Sequence, residues 1–175
     1  MTEETQAIEL LLIEDNPADA ALIQTVLDGS GNSFHITSVD YLKDGLHHLR
    51  SHNPDIILLD LSLPDSRGLD TLKRISKDFP QIPIIILTGL DDEALAVESL
   101  RLGAQDYLVK GQMEGALLSR LIRYAIERKK TEETLRKSAA DLADSNQQLE
   151  NFSKELQNAN QQLKALDEAK SKFIT

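Results

Sequence analysis

Residues 55–60 read DIILLD, four consecutive apolar residues closed by an acid. So short and uniformly apolar a run, fenced by Pro54 before it and the proline- and glycine-containing stretch LSLPDSRG after it, reads as a strand buried on both faces of a parallel sheet. Three more segments follow the same rule: LLLIED ends at Glu14 and Asp15, IPIIILTG at Thr88, and DYLVK at Lys110. The carboxyl ends of such strands form the ligand edge of an open α/β fold. Three carboxylates, a hydroxyl and an ammonium are therefore expected at one edge, a set suited to holding a divalent metal and transferring a phosphoryl group.

Working outward, strands are predicted at 9–14, 34–39, 55–60, 84–88 and 106–110. PADAALIQTVLDGSG reads as a helix with Pro17 in its first turn and a stop near Gly29 or Gly31, capped by Asp15 or Asn16. LKDGLHHLRSH, residues 69–79 and DDEALAVESLRLG supply further helices, and Pro80 and Pro83 mark the approach to the fourth strand. LSLPDSRG is expected to be a loop. Alternating strands and helices argue for a doubly wound five-stranded parallel sheet, and a flavodoxin-like order 2-1-3-4-5 would set Glu14, Asp15 and Asp60 side by side.

The 175 residues suffice for one domain and an appendage, and 41% hydrophobic content allows a real core. Without cysteine, disulfides and thiolate metal sites are excluded, and a reducing compartment is the simplest setting. The N-terminal stretch lacks the pattern of a secretion signal, and no apolar run approaches the roughly 20 residues of a membrane span, so a cytoplasmic location is expected. Residues 1–110 carry 8 basic and 19 acidic side chains, a balance of −11, whereas 111–175 are nearly neutral at +1. That field disfavours nucleic acid and favours metal ions or basic protein surfaces.

From 131 onward glycine and proline vanish. Leu135, Leu142, Leu149, Leu156 and Leu163 recur every seven residues, followed three residues later by Ser138, Ser145, Phe152, Ala159 and Leu166. Sustained heptads predict a coiled coil, here a parallel homodimer. A second register, with Ala139, Asn146, Ser153, Asn160 and Asp167 as companions, is more polar. With no proline between Gly115 and Thr175, the helix LLSRLIRYAIERKK is expected to continue into this segment, a rod on the order of 90 Å. Domains are thus expected at 1–128 and 129–175.

The arrangement of Glu14, Asp15, Asp60, Thr88 and Lys110 resembles the receiver domain of two-component response regulators, over about residues 9–128. The resemblance implies that Asp60 accepts a phosphoryl group from a phosphohistidine donor protein, forming an acyl phosphate. It also implies Mg²⁺ held by Glu14, Asp15, Asp60 and the backbone carbonyl of Ser62, with Asp15 the direct acidic ligand and Glu14 acting through water. In the same terms Lys110 pairs with the acceptor and then with the phosphoryl group, Thr88 is the switch hydroxyl, and Tyr107 is the aromatic that follows it. Pro64 and Gly68 shape the turn. Gly111 departs from the family's usual proline after the lysine, which leaves the Lys110–Gly111 geometry open.

The closing residues ALDEAKSKFIT resemble the entry to the dimerisation and phosphotransfer helix of histidine kinases. The chain is therefore read as the N-terminal receiver and signalling coiled coil of a hybrid sensor histidine kinase; the alternative is a stand-alone adaptor whose coiled coil scaffolds partners. Flavin or nucleotide binding is disfavoured, because no glycine-rich phosphate loop follows the first strand. His35, His47, His48 and His52 are read as lying on a strand and a solvated helix face, not as a metal or phosphotransfer centre.

Overall fold

The computed structural model describes residues 7–89, 93–111 and 114–173, so Asp91 and Asp92 of one predicted helix, and Ile174 and Thr175, lie outside the described residues. The order is β1 (Ile8–Ile13), α1 (Pro17–Asp28), β2 (Phe34–Val39), α2 (Leu42–Ser51), β3 (Ile56–Asp60), β4 (Ser62–Leu63), β5 (Ser66–Arg67), α3 (Leu69–Asp78), β6 (Ile84–Thr88), α4 (Glu93–Arg101), β7 (Asp106–Val109) and α5 (Gly115–Phe173). The main sheet is parallel in the order β2-β1-β3-β6-β7. Once the short β4-β5 ribbon is set aside, this is the expected flavodoxin-like order. The ribbon is a correction: within the predicted loop, Ser62 pairs with Arg67 and Leu63 with Ser66, antiparallel.

Side chains alternate across the sheet. Leu11, Ile13, Ile57, Leu59, Ile84 and Ile86 pack with Leu42 and Leu49 of α2 and Leu72 and Ile75 of α3. Their neighbours Leu10, Leu12, Ile56, Leu58, Ile85 and Leu87 pack on the other face with Ile23 and Leu27 of α1 and Leu118 and Ile122 of α5. Helices on both faces explain why the central strands are apolar at every position. Each fully buried Leu or Ile contributes roughly 1.5–3 kcal/mol, so strand ends are held rigidly where the polar residues begin.

Two glycines answer to geometry. A Cβ on Gly45 would lie 2.6 Å from Ile13 Cδ1, so its absence lets α2 close onto β1. Gly68, at φ 67° and ψ −154°, takes a backbone conformation that side chains oppose, as it leads the ribbon into α3.

The ribbon is also tied to a second helix. Tyr41, at the start of α2, offers no side-chain cap. Instead Asp65 Oδ1 and Oδ2 accept the N–H groups of Leu42 and Lys43, each at 2.9 Å. Partial burial works against the charged Asp65, but those two N–H groups outweigh it and hold its carboxyl below the ordinary range. Asp65→Ala removes a two-bond cap and should lower the unfolding free energy by about 1 kcal/mol. A urea titration checks this; an unchanged midpoint would refute it.

The chain divides into two compact units, 1–131 and 132–175. Among the described residues no helix is long and apolar enough to cross a membrane. In the second unit the heptad leucines are exposed, Leu149 at 63% and Leu166 at 67%.

Candidate functional site

Glu14, Asp15 and Asp60 follow or end the adjacent strands β1 and β3, whose register pairs Ile13 with Leu59. One ligand oxygen from each lies within 4.8 Å of the others. Glu14 and Asp60 are buried and Asp15 is exposed. A single small cation could touch all three, and an all-oxygen donor set fits Mg²⁺. The Ser62 N–H donates to Asp60 Oδ1 at 2.9 Å, fixing the Asp60 carboxylate against the start of the ribbon.

Lys110 follows β7, and its backbone N–H bonds to the Thr88 carbonyl at 2.9 Å. Its Nζ lies 2.6 Å from Asp60 Oδ2, 2.7 Å from Glu14 Oε2 and 3.2 Å from Asp19 Oδ2. Burial alone would lower the Lys110 pKa, but Asp60 and Glu14 outweigh it and hold the ammonium well above its ordinary value. For Glu14 the balance runs the other way: burial and the Asp60 charge raise its pKa despite Lys110 and the Asn16 N–H. The site is thus short of positive charge, which is what a divalent cation supplies.

Asp19 is the residue that sequence reasoning missed. It sits in the first turn of α1, behind the Asn16 cap, whose Oδ1 accepts the Ala18 N–H at 3.0 Å. No local pattern points to it, because Glu14 and Asp15 precede α1 and helical periodicity relates neither of them to Asp19.

Thr88 ends β6 beside β3, with Leu87 paired to Asp60. Its hydroxyl donates to the Leu108 carbonyl at 3.5 Å. Tyr107 is half-buried against the core face shared by α2 and α3. No described peptide bond is cis, the one before Gly111 included. The structure thus unites Glu14, Asp15, Asp60 and Lys110 directly and places Thr88 on the neighbouring strand end.

Residues 10–122 match the family model of the response regulator receiver domain. The chain belongs to that family. This receiver is 38% identical over 99 residues to the luminescence regulatory protein LuxO of Vibrio campbellii, an alignment covering 57% of this chain and 21% of LuxO. To the transcriptional regulatory protein AfsQ1 of Streptomyces coelicolor it is 37% identical over 125 residues, covering 71% of this chain and 54% of AfsQ1. The receiver thus spans between a fifth and about half of these curated relatives. Among solved structures it resembles full-length FixJ from B. japonicum, with TM-score 0.67, 29% identity, and coverage of 79% of this chain and 66% of FixJ. It also resembles the signal receiver domain of a LuxO repressor protein from Vibrio parahaemolyticus, with TM-score 0.64, 28% identity, and coverage of 74% and 97%.

Proposed function

We propose that Asp60 is the phosphoacceptor of this receiver, taking a phosphoryl group from a phosphohistidine on a donor protein. The observation that carries the reading is the Lys110 ammonium within 2.7 Å of both Asp60 and Glu14 at a three-carboxylate edge. A carboxylate oxygen of Asp60 forms the new P–O bond as the donor's P–N bond breaks, its electron pair returning to the imidazole ring. Lys110 holds the acceptor beforehand and a phosphoryl oxygen afterwards. Glu14, Asp15, Asp60 and the Ser62 carbonyl would hold Mg²⁺, which when bound offsets the repulsion between the acids and the incoming phosphate.

With the phosphoryl group in place, the Thr88 hydroxyl exchanges its long bond to Leu108 for a phosphate oxygen, and Tyr107 follows it. Such a two-state element biased by new charge is how phosphorylation switches a domain. The signal then passes along α5, which extends from Gly115 to Phe173, into a parallel coiled-coil dimer and on to a histidine kinase core. The exposed heptad leucines support the dimer.

Incubation with a small acyl phosphate and Mg²⁺ should add one hydroxylamine-labile phosphoryl group, seen by intact mass, and chelation by EDTA should abolish it. Uptake indifferent to chelation, or none with Mg²⁺ present, overturns the reading.

A further inference from the structure

The loop joining α1 to β2 and the first turns of α5 enclose a cavity of about 480 Å³, within the range that holds a small-molecule ligand. That loop enters β2 at its amino end, so the cavity lies away from the carboxylate edge. From α5 it is lined by Ser119, Arg120, Arg123, Tyr124 and Glu127, positions that recur every three to four residues and so share one face of the helix. Asn32 lines it from the loop.

The groups on this face are complementary to a ligand with two different ends. Arg120 and Arg123, one turn apart, are both exposed, and among the described residues neither guanidinium meets a carboxylate. Like charges at that spacing repel each other, and an anion between them removes the repulsion. Ser119, only 2% exposed, accepts a hydrogen from Asn32 Nδ2 at 2.7 Å, and among the described residues no oxygen takes its own hydroxyl proton. These donors belong to the first turns of a long helix, where the helix dipole also favours negative charge. Glu127, one turn beyond Arg123, has the opposite preference. A bare inorganic anion would meet Glu127 as well as the arginines, whereas a ligand charged at one end and bearing hydroxyl donors at the other satisfies both. Between them the Tyr124 ring is 65% exposed and has no stacking partner among the described residues.

We propose that this cavity binds a nucleoside monophosphate, with its phosphate between Arg120 and Arg123, its ribose hydroxyls donating to Glu127 and its base on the Tyr124 ring. Arginine forks bind phosphate oxygens in pairs, and the buried Ser119 hydroxyl supplies a further donor. Stacking on an aromatic ring tolerates any base, since every base has a π-face. Because Asn32 and Ser119 join the loop to α5, a bound ligand steadies the start of that helix. The inference stands apart from any role of Asp60.

Calorimetric titration of the full chain with AMP, GMP, CMP and UMP tests this. EDTA is present throughout, so that no metal carries phosphate to the acidic edge. At least one of the four should saturate a single site per chain, and inorganic phosphate and the matching nucleoside should each bind at least about tenfold more weakly. Joint replacement Arg120→Gln and Arg123→Gln should weaken binding at least about tenfold, and Tyr124→Ala at least about fivefold. Lys73→Gln with Arg74→Gln removes the same charge from α3 and should stay within about twofold of the parent. Circular dichroism should confirm that every variant is folded. No saturable site for any of the four overturns the proposal. So does inorganic phosphate binding as tightly as the nucleotide, parental affinity in the arginine or tyrosine variant, or an equal loss in the α3 variant.

Discussion

Asp60→Asn should take up no phosphoryl group from any donor and yet fold at least as stably as the parent in metal-free buffer. The loss is complete because an amide oxygen is no nucleophile toward phosphorus, whereas the shape and the bond from the Ser62 N–H can survive. The stability argument is a balance of charges. At an effective dielectric of 20, attraction to Lys110 at 2.6 Å is worth about 6 kcal/mol, and repulsion from Glu14 and Asp15, each within 4.8 Å, at least about 3.5 kcal/mol apiece. Those nearly cancel. What remains is the cost of taking a carboxylate out of water at a position only 6% exposed, and an amide escapes most of it. Lys110 keeps Glu14 and Asp19. Intact mass and thermal melts with and without Mg²⁺ check both halves: the variant should gain less stability from Mg²⁺ than the parent, having one ligand fewer. A stoichiometric phosphoryl group on the variant would place the acceptor elsewhere.

The parts of this site that are legible in sequence are those fixed by strand ends. A buried parallel strand stops where its apolar run stops, so Glu14, Asp60, Thr88 and Lys110 could be set at one edge from the pattern of runs alone. Contacts made by helices and loops were not legible in that way. Asp19 reaches Lys110 because α1 is held down by Ile23 and Leu27 at one particular rotation, which no local pattern states. Asp65 looks like an ordinary turn residue after Pro64. It caps α2 only because the sheet order carries the ribbon past that helix, 22 and 23 residues away in sequence.

His35, His48 and His52, which line one cavity with Glu9 near the starts of β1 and β2, make the same point at the opposite edge. His48 and His52 are close by helix periodicity and could be paired on paper. His35 joins them only through the packing of α2 over β1 and β2, a close approach that Gly45 permits. The ribbon at Ser62–Leu63 and Ser66–Arg67 reads as a loop in the sequence because two-residue strands leave no periodic signal.

The segment 132–175 carries the second large expectation: the chain should sediment at twice 19.5 kDa, and Leu149→Asn with Leu156→Asn should return it to the monomer mass. A polar helix has little reason to persist alone, since propagation in water is marginal and its apolar stripe is narrow. Here Leu135, Leu142, Leu149, Leu156 and Leu163 are each at least half exposed in the single chain. Burying one such leucine against a partner is worth roughly 1.5–3 kcal/mol, whereas an asparagine pair at the same level gains far less. Replacing these two layers should therefore remove several kcal/mol from the association and lower helicity with it. The companion positions decide the register. If Phe152 and Leu166 share the seam, Phe152→Ala weakens the dimer markedly and Asn146→Leu changes little; in the more polar register Phe152→Ala changes little and Asn146→Leu, which removes a buried polar pair, tightens the dimer. Sedimentation equilibrium with far-ultraviolet circular dichroism reads all of these, and a helical monomer at tens of micromolar would leave the paired-helix route for the signal without a physical basis.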